Sequence, residues 1–182
     1  MSKSVLILGA TGLVGKQILA QALASKDILR VIAPTRKPLP AHAKLENPVV
    51  DYEKLPASAS WWKADAVLCA LGTTIKQAGS KEAFRHVDYG YVMQAASLAN
   101  EAGCTCFVLN SSLGADSGSG NFYLKVKGEL ERGLAKLGYA SLSFIRPSLL
   151  DGGPRPEKRP GEQIGLWLGK HLSLIIPGRY KP

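Results

Sequence analysis

Val5-Leu6-Ile7-Leu8-Gly9-Ala10-Thr11-Gly12-Leu13-Val14-Gly15 decides how this chain is read. Four apolar residues without polar alternation describe a strand buried on both faces, and the glycines that follow turn it into a helix. The spacing Gly9-x-x-Gly12-x-x-Gly15 gives each glycine its own task. Gly9 allows a tight turn, Gly12 lets backbone approach a pyrophosphate, and Gly15 lets the helix pack closely on the sheet. The helix over 13–24 carries Val14, Ile18, Ala22 and Leu23 on one face. Its start presents unpaired N–H groups and a positive dipole end. Glycine spacing alone serves any strand-to-helix turn; with this strand before it and this helix after it, the stretch reads as a phosphate cradle.

Outward from that stretch, Arg30-Val31-Ile32-Ala33-Pro34-Thr35 is a second parallel strand, followed by Arg36 and Lys37. About 20 residues past the glycines, an acidic residue would bind an adenosine ribose 2′-OH. Two cations stand there instead, so a 2′-phosphate is expected and NADP(H) is preferred over NAD(H). Pro38, Pro40 and Pro48 make 38–48 a loop, and Val49-Val50-Asp51-Tyr52 a short third strand. Asp51 either accepts a bond from the adenine amino group or caps a turn. Trp61 and Trp62 are expected to pack rather than to form a ligand platform.

The next strand runs through Ala66-Val67-Leu68-Cys69, and Ala70, Leu71, Gly72 and Thr73 at its end line the cofactor ribose. Sheet order reverses between the first and fourth strands, which opens the ligand crevice there. Residues 80–103 form one long helix closed by Gly103, and 106–109 a fifth strand leading into Asn110-Ser111-Ser112. A Gly- and Ser-rich loop over 116–121, a helix from Tyr123 to near Gly138 and a strand over 142–146 complete the pattern. The expected fold is α/β, a Rossmann-type doubly wound parallel sheet in a single domain over 1–182.

Tyr123 and Lys127 stand at i and i+4, on one helix face. An ammonium so placed stabilises a tyrosinate and lets the phenol exchange a proton with a carbonyl or alcohol. Ser112 reaches the same substrate oxygen from the strand end. An isolated Tyr-x-x-x-Lys is usually a solvated helix pair; its order behind a dinucleotide motif is what carries meaning.

Together, Gly9-x-x-Gly12-x-x-Gly15, Asn110-Ser111-Ser112, Tyr123-x-x-x-Lys127 and Arg146-Pro147-Ser148 resemble the short-chain dehydrogenase/reductase superfamily. The details resemble its atypical, Tat-interacting-protein-like NAD(P)H-binding oxidoreductases. The resemblance implies that Ser112 polarises a carbonyl, with Ser111 as the alternative, and that Tyr123 is the general acid/base. It also implies that Lys127 binds the nicotinamide ribose and lowers the Tyr pKa, and that Pro147 belongs to the cofactor site. Two departures stand out. Asp88 occupies a place where catalytic members commonly carry Asn, and the chain stops short of a C-terminal helical segment with which relatives continue. Helices over 82–103 and 123–137 are expected to pair in a homodimer, as superfamily relatives often do.

The 182 residues are 46% hydrophobic and 20% charged, as in an ordinary globular domain. A net charge of +9 invites nucleic acid, but the basic residues are scattered and no nucleic-acid module appears. A field attracting an anionic cofactor or substrate explains them equally well. Apolar runs fall short of the roughly 18 residues a membrane helix needs, and no leader precedes the first strand, so a cytoplasmic location is expected. Cys69, Cys104 and Cys106 read as buried free thiols; no metal is expected. Proline-rich 147–161 is either a substrate lid or a solvent-facing connection, and 163–171 a short helix. The leading expectation is an NADP(H)-dependent reductase of a small-molecule carbonyl. Its rival is an NADP(H)-sensing protein that meets a protein partner and turns over little.

Overall fold

The computed structural model describes residues 3–148. The chain divides into two compact units, Met1–Arg146 and Pro147–Pro182, and the described fold is that of the first. The segment over 147–161 beyond Ser148, read as a lid or a connection, the helix expected over 163–171 and the C-terminal end lie outside the described residues.

Six parallel strands are ordered β3-β2-β1-β4-β5-β6, so the order reverses between β1 and β4. They are β1 (Lys3–Leu8), β2 (Ile28–Ile32), β3 (Leu45–Glu46), β4 (Ala66–Cys69), β5 (Cys106–Asn110) and β6 (Ser141–Ile145). In β1, Leu6 and Leu8 face one core and Val5 and Ile7 another. That two-sided burial is why the strand shows no polar alternation.

Helix α1 (Leu13–Ala24) closes the second core, with Ala22 buried against Val31 and Ala33 and Ile18, Leu19 and Leu23 packed around them. The larger core, on the opposite face, lies under α4 (Val92–Glu101) and α5 (Phe122–Ala135). Ala95, Ala96 and Ala99 are fully buried there against Phe107 and Leu109; small residues let a helix approach a sheet. Trp61 and Trp62 stack at 4.1 Å between ring centroids, and the Trp62 indole N–H donates to the Pro56 carbonyl at 2.8 Å. They are packing residues, as their sequence context suggests.

Three elements differ from the sequence reading. The third strand is Leu45–Glu46, inside the stretch read as loop, while Val49 keeps an isolated bridge to Thr35. Pro34 and Pro48 lack N–H groups and interrupt the ladder, which ends β2 early at Ile32. The long helix over 80–103 is three pieces: α3 (Lys81–Arg85), a π-helical turn His86–Tyr91, and α4. A short α2 (Ile75–Ala78) precedes them, capped by the Thr74 hydroxyl accepting from the Gln77 amide.

Candidate functional site

A cleft of about 360 Å³ opens beyond the carboxyl ends of β1 and β4, where the strand order reverses. Gly9, Thr11 and Gly12 form one wall, and Ala70, Leu71, Gly72 and Thr73 another. Arg36 lies at a third side, with Thr35 and Pro34.

The glycines divide as their spacing suggests. Gly9 has φ +81°, and a Cβ on it would stand 2.6 Å from the Ala70 backbone. A Cβ on Gly15 would stand 2.0 Å from the Gly9 carbonyl oxygen. Both positions are closed by the protein itself. A Cβ on Gly12 would meet nothing nearer than 3.4 Å, so the space it leaves faces the cleft. Gly12 is also the N-cap of α1 and supplies no side-chain cap. The first N–H groups of that helix, from Leu13, Val14 and Gly15, are thus free to meet an anion. Gly15 is buried and Leu13 is exposed, and Leu13, Val14 and Gly15 are not among the residues that line the cleft. Uncapped amides and an open Gly12 fit a pyrophosphate.

Lys37 and Asp51 are not among the residues that line the cleft. Lys37 offers its backbone carbonyl to the Thr35 hydroxyl at 2.7 Å, and the Asp51 carboxylate accepts from the Glu53 amide at 2.9 Å. Asp51 therefore makes a turn contact. Tyr52 and Tyr91 take its place in the lining, with Val87 between α3 and α4. Their rings are 5.6 Å apart, and the Tyr52 hydroxyl donates to the Pro34 carbonyl at 3.0 Å. Burial pushes the Tyr91 phenol up to about 12, helped by its bond to Glu53. That bond and the one from His86 hold the Glu53 carboxyl below its usual value. Tyr91 escaped the sequence reading because it is aimed by a π-helical turn with no local signature.

Lys127 does not line the cleft; it is buried behind it, its ammonium 2.7 Å from Asp88 Oδ1. The other Asp88 oxygen accepts the Thr73 amide at 2.7 Å. Gly72 packs against the same carboxylate, leaving no room for a Cβ. Asp88 thus joins Lys127 to the β4 loop that walls the cleft. Burial lifts the Asp88 carboxyl above its ordinary value despite the ammonium beside it. Burial works against the Lys127 charge, but the Asp88 charge and hydrogen bond outweigh it and leave the ammonium above its ordinary value.

Tyr123 is half-buried on α5, with the Lys127 ammonium 5.8 Å from its ring centre and the Phe84 ring at 5.7 Å. Gly128, the next residue after Lys127, lets the backbone of Asp116 and Ser117 lie directly on α5. The loop after Ser112 is thereby held against the helix that carries Tyr123 and Lys127. The two serines separate clearly. Ser111 is buried and donates to Glu131 Oε1 at 2.6 Å, and Glu131 also accepts from Arg146 Nε at 3.0 Å and from its Nη2. Ser112 is half-buried, and its hydroxyl makes a 3.3 Å bond to the neighbouring Leu113 carbonyl. Pro147 opens the second unit.

A reversed parallel sheet with a glycine cradle at its switch point defines a Rossmann-type nucleotide-binding protein with an oxidoreductase-like fold. The chain belongs to the NAD(P)H-binding family, whose profile matches residues 9–152. It is 40% identical to protein HTATIP2 of Rattus norvegicus over 181 residues, which cover 97% of this chain and 72% of the relative. It is 38% identical to the mitochondrial protein FMP52 of Lodderomyces elongisporus over 181 residues, covering 93% and 76%. Among solved structures, an NAD-dependent epimerase/dehydratase-type protein of Bacillus halodurans superposes with a TM-score of 0.65 at 22% identity, over 88% of this chain and 75% of that one. MoeE5, solved with UDP-glucose and NAD, superposes at 0.63 and 20% identity over 78% of this chain; the chain spans 52% of its length. Likeness at such identity shows the fold.

The resemblance read from the motifs therefore stands. The cytoplasmic expectation does not: relatives from Lodderomyces elongisporus, Candida albicans and Aspergillus niger are all named mitochondrial. Short apolar runs said nothing about which compartment holds the protein. Among the described residues no helix is long and apolar enough to cross a membrane.

Proposed function

We propose that this NAD(P)H-binding protein takes NADP(H) in preference to NAD(H) and reduces a carbonyl substrate. The observation that carries the cofactor reading is Arg36 lining the cleft, where an acidic residue would select an unmodified ribose. A guanidinium pairs with a phosphate through two parallel hydrogen bonds, which a 2′-hydroxyl cannot match.

A bound nicotinamide supplies the hydride. Tyr123 gives its phenolic proton to the carbonyl oxygen as that oxygen becomes an alcohol, and Ser112 donates a second hydrogen bond to it. Ser112 is preferred to Ser111 because the Ser111 hydroxyl is already given to Glu131. Lys127 holds a fixed positive charge near Tyr123 while Asp88 balances it.

The Asp88–Lys127 pair also favours a second reading. A lysine committed to a buried carboxylate has less charge to lend to Tyr123, which suits an NADP(H)-sensing protein with little turnover. The two readings separate in one experiment: titrate the protein with NADPH and NADH, then assay NADPH oxidation with a panel of aldehydes, ketones and quinones. The reductase reading expects turnover that Tyr123→Phe abolishes while NADPH binding stays intact. Tight NADPH binding with no oxidation across the panel supports the sensor, and turnover unchanged in Tyr123→Phe removes that residue from the chemistry.

A further inference from the structure

We infer that Asn47 is a specificity-determining residue that acts by positioning Arg36, so that the preference for a 2′-phosphorylated dinucleotide depends on an amide that never touches it. The inference rests on the cofactor reading proposed above.

Between β2 and the segment after it, the parallel ladder runs Val31 N–H to Lys44 carbonyl, Ala33 N–H to Glu46 carbonyl and Thr35 N–H to Pro48 carbonyl. The return bond to the Ala33 carbonyl would have to come from residue 48, and Pro48 has no N–H. Asn47 closes that gap: its Nδ2 donates to the Ala33 carbonyl. The same nitrogen donates to Thr35 Oγ1 at 2.8 Å, and Asn47 Oδ1 accepts the Leu39 amide at 2.7 Å. Both amide hydrogens and the amide oxygen are therefore used.

These contacts enclose Arg36. On one side stands Thr35, buried, bridged to Val49 and bonded to Asn47; on the other stand Lys37, whose carbonyl takes the Thr35 hydroxyl, and Leu39. Arg36 sits at the apex of a turn tied at both ends to one side chain. Its own side chain is exposed at the cleft, so its direction is set by the backbone beneath it. A loop with Pro34 and Pro38 on either side has few ladder bonds of its own to do that work.

The test is an equilibrium fluorescence titration with NADPH and, separately, NADH on the wild-type chain, Arg36→Ala and Asn47→Ala. The expected result is that wild type prefers NADPH, that Arg36→Ala erases the preference, and that Asn47→Ala reduces it about tenfold while NADH affinity changes less than twofold. Equal weakening of both nucleotides in Asn47→Ala, or an unchanged ratio, overturns the inference while leaving the cofactor reading in place. A wild-type chain without preference overturns the cofactor reading and the inference with it. Should Asn47→Ala fail to fold, Thr35→Val removes the hydroxyl that joins Asn47 to Lys37 but leaves the Asn47 bond to Ala33. Its NADPH preference should fall and Thr35→Ser should restore it; a Thr35→Val protein with wild-type preference overturns the inference.

Discussion

Lys127 and Asp88, 39 positions apart in the chain, meet as a buried ion pair 2.7 Å long. Removing one partner of such a pair leaves the other charged and desolvated, at a cost of about 3–5 kcal/mol. Asp88→Ala is therefore expected to lose that much in urea denaturation. Asp88→Asn should lose less, because its amide oxygen still accepts one of the two bonds. Equal stability of wild type and Asp88→Ala would show that the pair is not formed in solution.

The same pair sets an alkaline limit. The folded-state pKa of Lys127 is raised above its reference 10.5, so its contribution is complete below the unfolded value and fades as pH climbs through the folded one. In Asp88→Ala burial alone acts on the Lys127 ammonium, which then sheds its proton at lower pH and relieves part of the penalty. The stability gap between wild type and Asp88→Ala should thus be widest near pH 8 and narrow as pH rises. Thermal melts across that range measure it, and a gap that widens with pH contradicts the assignment.

Ser111 and Ser112 should respond to alanine in opposite ways. Ser111→Ala strips a bond from buried Glu131 and is expected to cost about 1–3 kcal/mol of stability. Ser112→Ala should melt like wild type but lower turnover about 100-fold on any carbonyl the panel yields. A stability loss in Ser112→Ala without loss of turnover would reverse their roles.

The cradle glycines offer a similar contrast. Gly15→Ala forces a methyl onto the Gly9 carbonyl oxygen, at a built distance of 2.0 Å. Backbone must move, and about 1–3 kcal/mol or more should be lost. Gly12→Ala meets only an ordinary contact at 3.4 Å, so its melting temperature should stay close to wild type while NADPH binding weakens. If Gly12→Ala binds NADPH as wild type does, the cleft beside Gly12 does not hold the phosphates.

Burial ranks the thiols. Cys69 and Cys104 are each 1% exposed, and burial pushes the Cys69 thiol up to about 11. In maleimide labelling of native protein at pH 7, Cys106, which is half-buried, should react first and the other two only after unfolding. Fast labelling of Cys69 would mean that the core under α4 and α5 opens readily.

Much of this was legible in sequence because local chemistry determined it. Val5 to Leu8, apolar without alternation, read as a strand buried on both faces, and Gly9, Gly12 and Gly15 as its turn into a helix. From those residues followed the parallel sheet, its reversal between β1 and β4 and the place of the cleft. The helices over 13–24 and from Tyr123, read from apolar spacing, lie where expected.

What the sequence could not determine depends on partners far along the chain. That Pro48 breaks a ladder and Asn47 repairs it requires knowing that Ala33 lies opposite. That Ser111 is engaged requires Glu131, and that Lys127 is neutralised requires Asp88. A turn or a strand is set by torsion angles and near neighbours, which sequence spells out. The engagement of a buried polar group is set by whichever distant atom replaces its lost water, and only the tertiary structure decides which atom that is.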